Sequence, residues 1–234
     1  MSKIHVYFMP GMAASSSVFE RIHLPTETFE MHLLEWVLPN KNESFKEYAK
    51  RMAKNIKHEI VILVGVSFGG ILVQEMKPFV NTKKVIIISS IKSNAELSRQ
   101  MKVAKSTKAY KLIPTKLFEN IEFLAKFTFG FSVLKQKLKR YEKFLSFRDK
   151  SYLDWAIDQL INWNRTIIDN EIIHIHGDSD EVFPVKYIKK AIHVKGGTHI
   201  MIISKYRWFN ENLPKIMLDN YRNYTIYCSF NNIK

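Results

Sequence analysis

Glu59-Ile60-Val61-Ile62-Leu63-Val64-Gly65-Val66-Ser67-Phe68-Gly69-Gly70 is the stretch around which the chain is organised. An apolar, β-branched run of strand length leads into Gly-x-Ser-x-Gly, and a helix-like segment, Ile71 to Val80, follows at once. A parallel strand buried on both faces reads as such a continuous apolar run. A serine at a sharp strand-to-helix turn needs small neighbours. Gly65 and Gly69 have no Cβ to collide there, and glycine tolerates unusual backbone angles. The turn lifts the Ser67 hydroxyl out of the sheet and directs the first N–H groups of the helix toward it. Those unpaired donors, with the helix dipole, suit a developing negative charge. Ser67 is therefore a candidate nucleophile.

On either side the chain alternates strand and helix. Lys3 to Met9 reads as a strand, followed by a loop of small residues from Pro10-Gly11 to Ser17 and a short helix over Val18 to Ile22. A second strand, Phe29 to Trp36, ends at Pro39-Asn40. Ser44 to Lys57 has apolar residues at helical spacing, with Ser44 as N-cap. Lys83 to Ser90 is another buried-type strand. This alternation implies a mostly parallel sheet with helices on both faces. The pattern breaks over Lys92 to Ile168, which is helical with no convincing strand, and resumes with strands at Glu171 to His176 and Ala191 to Lys195. Helical periodicity over Ile200 to Met217 closes the fold. The division is a core in two parts, 1–91 and 169–219, a helical insertion at 92–168, and a polar, aromatic tail at 220–234.

A length of 234 residues suits one α/β domain with an insertion. The single cysteine, Cys228, excludes an internal disulfide and a cysteine-based metal cluster, and suits a reducing, cytoplasmic setting. Pro10-Gly11 cuts off the first apolar run before a secretory signal could form. No apolar run approaches the roughly 20 residues of a membrane span. The net charge is +14, and Lys92 to Lys150 carries twelve Lys and three Arg against four Glu and one Asp, an excess of ten. With no recognisable nucleic-acid module, that charge reads as a solvated helical surface and not as a nucleic-acid interface.

A serine hydroxyl needs a base within hydrogen-bond reach, and the base needs a partner to orient it. Ile172 to Pro184 is a strand running into an acidic turn that holds Asp178 and Asp180, either of which could orient a histidine. Gly196-Gly197-Thr198-His199 follows the last strand and opens a helix. His199 is preferred among eight histidines because the glycines let the loop carry its ring over the sheet edge. His174 and His176 lie two apart on one strand face and suit a core or supporting role. As a metal site that pair lacks further ligands at a persuasive spacing, so no metal is expected.

The sequence around Ser67 resembles the nucleophile elbow of the α/β-hydrolases, in which serine, acid and histidine follow in that order along the chain. The resemblance runs from the first strand to the helix after His199. It implies a compact version of that fold with about six strands instead of eight, beginning at the strand before the oxyanion loop. The family pattern Gly-x-x-Asp with a proline shortly after matches Gly177, Asp180 and Pro184 and selects Asp180 as the acid. It also implies an oxyanion hole from two backbone N–H groups, those of Phe68 and Met12. The family often has His-Gly at the loop where this chain has Pro10-Gly11, a departure that bears on specificity more than on activity. The insertion falls where the family carries a lid. Its aromatic residues Phe118, Phe123, Phe127, Phe129, Phe131, Trp155 and Trp163 would pack that lid or line an acyl pocket.

The activity so implied is that of a serine hydrolase cleaving a carboxylic ester or thioester through an acyl-enzyme, without metal or cofactor. The substrate would be anionic if the basic insertion faces the entrance. A lyase or acyltransferase on the same residues, or a binding protein with little turnover, are the alternatives.

Overall fold

The computed structural model describes residues 2–112 and 143–218. Apolar runs bounded by turns form six strands: β1 (Ile4–Met9), β2 (Phe29–Leu33), β3 (Val61–Val66), β4 (Thr82–Ile88), β5 (Ile173–Gly177) and β6 (Ile192–Val194). Every pairing is parallel, in the order β2-β1-β3-β4-β5-β6. The expected parallel sheet of six strands is thus the one observed. β3 is buried along its whole length, as a central strand covered on both faces must be. The winding reverses between β1 and β3. Met9 lies opposite Gly65, so the C-terminal ends of these two strands are level. In open α/β sheets the crevice at such a reversal is where ligands bind.

Helix α1 (Phe45–Ala53) starts as its sequence suggests. Ser44 accepts the Glu47 N–H and the Glu47 carboxylate accepts the Ser44 N–H, a reciprocal cap, while Phe45, Tyr48, Ala49 and Met52 face the core. Helix α2 (Phe68–Met76) begins three residues earlier than expected, immediately after Ser67, and gives way to a 3-10 turn that contains Pro78. Strand β2 stops at Leu33 instead of continuing to Trp36, because Trp36 turns inward and its Nε1–H donates to the Gly11 carbonyl at 2.7 Å.

Between β4 and β5 the described residues hold helices α3 (Arg99–Thr107) and α4 (Lys150–Asn162) and no strand. Asp149 caps α4 by accepting the N–H groups of Ser151 and Tyr152. Tyr152 and Trp155 then join an aromatic cluster with Trp36, Tyr48, Phe45 and Phe68. The Trp155 indole N–H donates to the Glu43 carbonyl, and that of Trp163 to the Glu75 carboxylate. Trp155 and Trp163 therefore tie α4 and the residue after it to the sheet-bearing part of the chain. The expected lid aromatics Phe118, Phe123, Phe127, Phe129 and Phe131 lie outside the described residues, as does the 220–234 tail. The helical run after β6 is two helices, α5 (Met201–Ser204) and α6 (Tyr206–Leu218), separated at Lys205.

At the reversal the backbones pass very close together. A Cβ on Gly65 would overlap the Gly69 carbonyl, and one on Gly69 would overlap the Pro10 carbonyl. Both glycines are required for space. Neither uses the left-handed freedom expected of it, since Gly196 is the glycine with positive φ among the described residues. Because the obstacles are backbone atoms, Gly69→Ala cannot be accommodated by rotating a side chain. It should cost about 1–3 kcal/mol or more, as overpacking of a filled core does. Urea denaturation checks this, and an unchanged midpoint would contradict the packing described.

Candidate active site

Ser67 follows β3 directly with φ 53° and ψ −122°, a backbone conformation that side chains other than glycine rarely adopt. Such strain costs on the order of 1–3 kcal/mol and persists only where the surroundings impose it. Here they do. The Ser67 N–H donates to Ile88 at 2.9 Å, and its carbonyl accepts from the Gly70 N–H at 2.9 Å and the Ser90 hydroxyl at 2.7 Å. The result projects the Ser67 hydroxyl from the C-terminal edge of the sheet at the start of α2.

His199 comes from the loop after β6. Gly196, at φ 63°, turns that loop, and Gly197 lies against Gly177 where a Cβ on either would overlap the other's backbone. The His199 Nε2 lies 2.8 Å from the Ser67 Oγ, and its Nδ1 lies 2.8 and 3.1 Å from the two Asp180 carboxylate oxygens. A carboxylate only accepts, so the proton sits on Nδ1 and Nε2 is free to accept from the serine. Asp180 also accepts the N–H groups of Val182 and Phe183, both at 2.9 Å. Asp180 and His199 are each 4% exposed. Burial works against ionisation of Asp180. The charge and hydrogen bond of His199 outweigh it, with help from His176 and the Phe183 N–H, and hold the carboxyl below its usual range.

Asp178 has a different place. It is exposed, and its Oδ1 accepts the Gly196 N–H and the Ser179 hydroxyl, both at 2.8 Å. It braces the turn that carries His199 without touching the ring. His174 and His176 are fully buried behind Asp180. The His176 Nε2 lies 2.8 Å from the Phe183 carbonyl, so it must donate, and the His176 Nδ1 then accepts from the His174 Nε2 at 3.1 Å. This chain of two neutral imidazoles supports the loop that bends around Asp180.

The loop after β1 lies against Ser67: a Cβ on Gly11 would be 3.3 Å from that of Ser67. The Trp36 indole holds the Gly11 carbonyl, and Ala13 adopts φ 63°. Met12 and Phe68 line the same cavity as Ser67 and His199, and neither backbone N–H has a protein acceptor among the described residues. His176 takes the supporting role its strand position suggests, whereas Trp36 carries no sequence signal of a place at the site. Trp36 ends an apolar strand pattern, and only the fold brings it under the Gly11 loop.

No family model matches the chain, and neither does any curated protein. Solved structures do. A thermophilic esterase from Thermogutta terrifontis superimposes with a TM-score of 0.68 at 11% identity, covering 92% of this chain and 90% of the esterase. The chain has the α/β-hydrolase fold. A hydrolase from Pseudomonas aeruginosa PA01 matches with a TM-score of 0.69 at 13% identity, covering 93% and 91% of the two chains. The enol-lactonase from Burkholderia xenovorans LB400 matches at 0.65 with 11% identity, covering 94% and 93%. Among the described residues no helix is long and apolar enough to cross a membrane.

Burial holds His174 well below the ordinary histidine range. It also lowers His176, although Asp180 and the Phe183 carbonyl pull that group upward. Unfolding restores the usual affinity, near pH 6.5. Above that pH the stabilisation from keeping these rings neutral is fully present. Below it the unfolded chain takes up protons that the folded chain refuses, and stability falls by up to about 1.4 kcal/mol per pH unit for each group. Between pH 7.5 and 5.0 the urea midpoint of the wild type should therefore drop more than that of His174→Gln. Equal drops would show that the buried imidazoles do not titrate in this way.

Proposed function

We propose that this chain is a serine hydrolase that cleaves a carboxylic ester or thioester through an acyl-enzyme on Ser67. The observation that carries the reading is the line from Ser67 Oγ to His199 Nε2 and from His199 Nδ1 to Asp180, all within hydrogen-bond distance on a strained turn. The Ser67 oxygen attacks the acyl carbon as His199 takes its proton. The oxyanion of the tetrahedral intermediate is held by the N–H groups of Met12 and Phe68, each worth on the order of a hundred- to a thousand-fold in rate. His199 then returns the proton to the leaving alkoxide or thiolate, and the C–O or C–S bond breaks. Water, deprotonated by His199, attacks the acyl-enzyme and releases the acid and free Ser67. Asp180 keeps the proton on Nδ1 and stabilises the imidazolium.

The cavity at Ser67, about 50 Å³, is walled by Val18, Met101, Leu160, Phe183, Ile200 and Ile203. An apolar acyl group suits that lining better than a charged one. Lys102 and Lys108 are exposed on and just after α3, the helix that supplies Met101, and a basic face turned to the entrance would favour the approach of a substrate with an anionic leaving portion. The hydrolase, esterase and enol-lactonase names of the superimposable proteins agree with acyl transfer to water.

Two substitutions test the reading on a panel of aliphatic esters and thioesters. Ser67→Ala should abolish labelling by a fluorophosphonate and reduce kcat on the order of a million-fold. A variant that kept a tenth of the wild-type rate would remove Ser67 from the mechanism. Asp180→Asn should lower kcat by roughly 10⁴, the scale for a histidine held in the wrong tautomer. Asp178→Asn should act mainly through the loop and cost far less. Equal losses in the two variants would contradict the assignment of the acid.

A further inference from the structure

At the opposite end of the sheet a second group of polar side chains meets. In the register of β1 with β2, His5 lies opposite Glu30 and Tyr7 opposite His32. Residues two apart on a strand share a face, so the four side chains stand on one side of the sheet edge. The His5 Nδ1 is 3.0 Å from the His32 Nε2. The Glu30 carboxylate lies 3.7 Å from the former and 3.9 Å from the latter. His58, just before β3, closes the group: ligand atoms of His5, His32 and His58 all lie within 4.8 Å of one another. We propose that His5, His32, His58 and Glu30 form a binding site for a divalent zinc-like cation that staples the edge strand to its neighbours.

Tetrahedral zinc with bonds of 2.0–2.2 Å places its ligand atoms roughly 3.3 Å apart. The His5–His32 separation of 3.0 Å is close to that value, and the Glu30 carboxylate, which presents a different oxygen to each ring at 3.7 and 3.9 Å, turns one of them toward the ion to complete the set. Three imidazoles and one carboxylate suit zinc and its transition-metal neighbours, whereas calcium and magnesium prefer oxygen ligands. Glu30 has no Lys or Arg partner among the described residues, so its charge faces only imidazoles. The side chains of His5 and His32 are 23% and 22% exposed, which leaves the site open to ions from solution.

His58 requires one adjustment. Its ring stacks on His5 with centroids 3.4 Å apart and planes 11° from parallel. A metal lies in the plane of each imidazole that binds it, so His58 must tilt off this stack to complete the set. Its Nδ1 is 2.8 Å from the Tyr7 hydroxyl, which also accepts the Lys57 N–H. With the metal on Nε2, the Nδ1–H donates to Tyr7, the outer contact that usually orients a ligating histidine. The cluster is set on β1, β2 and the approach to β3, away from the strand ends that carry Ser67. Its effect is therefore on stability and not on the acyl chemistry.

The test uses the whole chain, treated with EDTA and dialysed, with Zn²⁺ titrated against a chromophoric chelator. The site predicts one equivalent bound with a Kd below about 10 μM, weakened at least tenfold in His32→Gln and in Glu30→Gln, losses on the scale seen when a zinc site is perturbed. Zn²⁺ at a hundredfold excess over its Kd should raise the Tm of the wild type by roughly 5–10 °C, and Mg²⁺ should not. Should His32→Gln fail to fold, Glu30→Gln, altered at a half-exposed carboxylate, carries the comparison. Binding weaker than about 10 μM, an affinity unchanged in the folded variants, or an equal Tm rise with Mg²⁺ would overturn the site. None of these readouts depends on the hydrolase reading, so either proposal can fail without the other.

Discussion

The turn at Ser67 holds because two stretches of backbone pass closer than any side chain would permit. Gly65 and Gly69 create that approach, and the carbonyls of Gly69 and Pro10 occupy the space where their Cβ atoms would stand. The consequence is that the strain is borne by Ser67 itself, at φ 53°, and not by the glycines beside it. Four hydrogen bonds to the Ser67 backbone keep it there, one from its N–H and three to its carbonyl. A less tightly packed junction would let the serine relax toward an ordinary helical or extended conformation, and its hydroxyl would swing off the line to His199. Packing in the core thus decides the geometry of a polar atom at the surface of the sheet.

The histidine is positioned by a different means. Its loop, six residues between β6 and the helix at Met201, packs closely only where Gly197 meets Gly177, and hydrogen bonds carry the rest of the task. Asp178 binds the Gly196 N–H from the solvent side, and Asp180 binds the ring from within. Behind Asp180, the His174–His176 chain ends on the Phe183 carbonyl, while the Phe183 N–H donates to Asp180. One peptide segment therefore gives its N–H to the acid and its carbonyl to a supporting imidazole. The two aspartates, which the Gly-x-x-Asp pattern already separates in sequence, divide between the Gly196 N–H of the loop and the His199 ring.

Much of this was legible in the residues. Local signals with a fixed physical meaning located the parallel strands, the capped helix at Ser44, and Ser67 on its strand-to-helix turn. They failed where tertiary contacts override pattern. Phe29 to Trp36 reads as one strand, but the indole of Trp36 gains a hydrogen bond to Gly11 and a stack on Phe68 by leaving the sheet. Gly65 and Gly69 supply the space that their missing Cβ atoms suggest, but the unusual backbone angle falls on Ser67 and not on them, which no single-residue property reveals. The histidines at 5, 32 and 58 are scattered in sequence and carry no spacing motif. Only strand register makes them neighbours, with Glu30 brought in by the same pairing.

That contrast follows from how a parallel sheet distributes its polar groups. At the C-terminal ends, helices begin and their free N–H groups point outward, so a serine and a histidine placed there meet a field suited to negative charge. At the other end the polar cluster is satisfied mostly by its own members: at the β2 edge imidazoles bond to imidazoles and to Tyr7, with a single backbone donor, the Lys57 N–H, on the Tyr7 hydroxyl. The edge strand β2, like β6 at the other edge, has a neighbour on one side only, so the ladder holds it less than the inner strands. Side chains that bind it to β1 and to the approach to β3 therefore add to a weakly held edge.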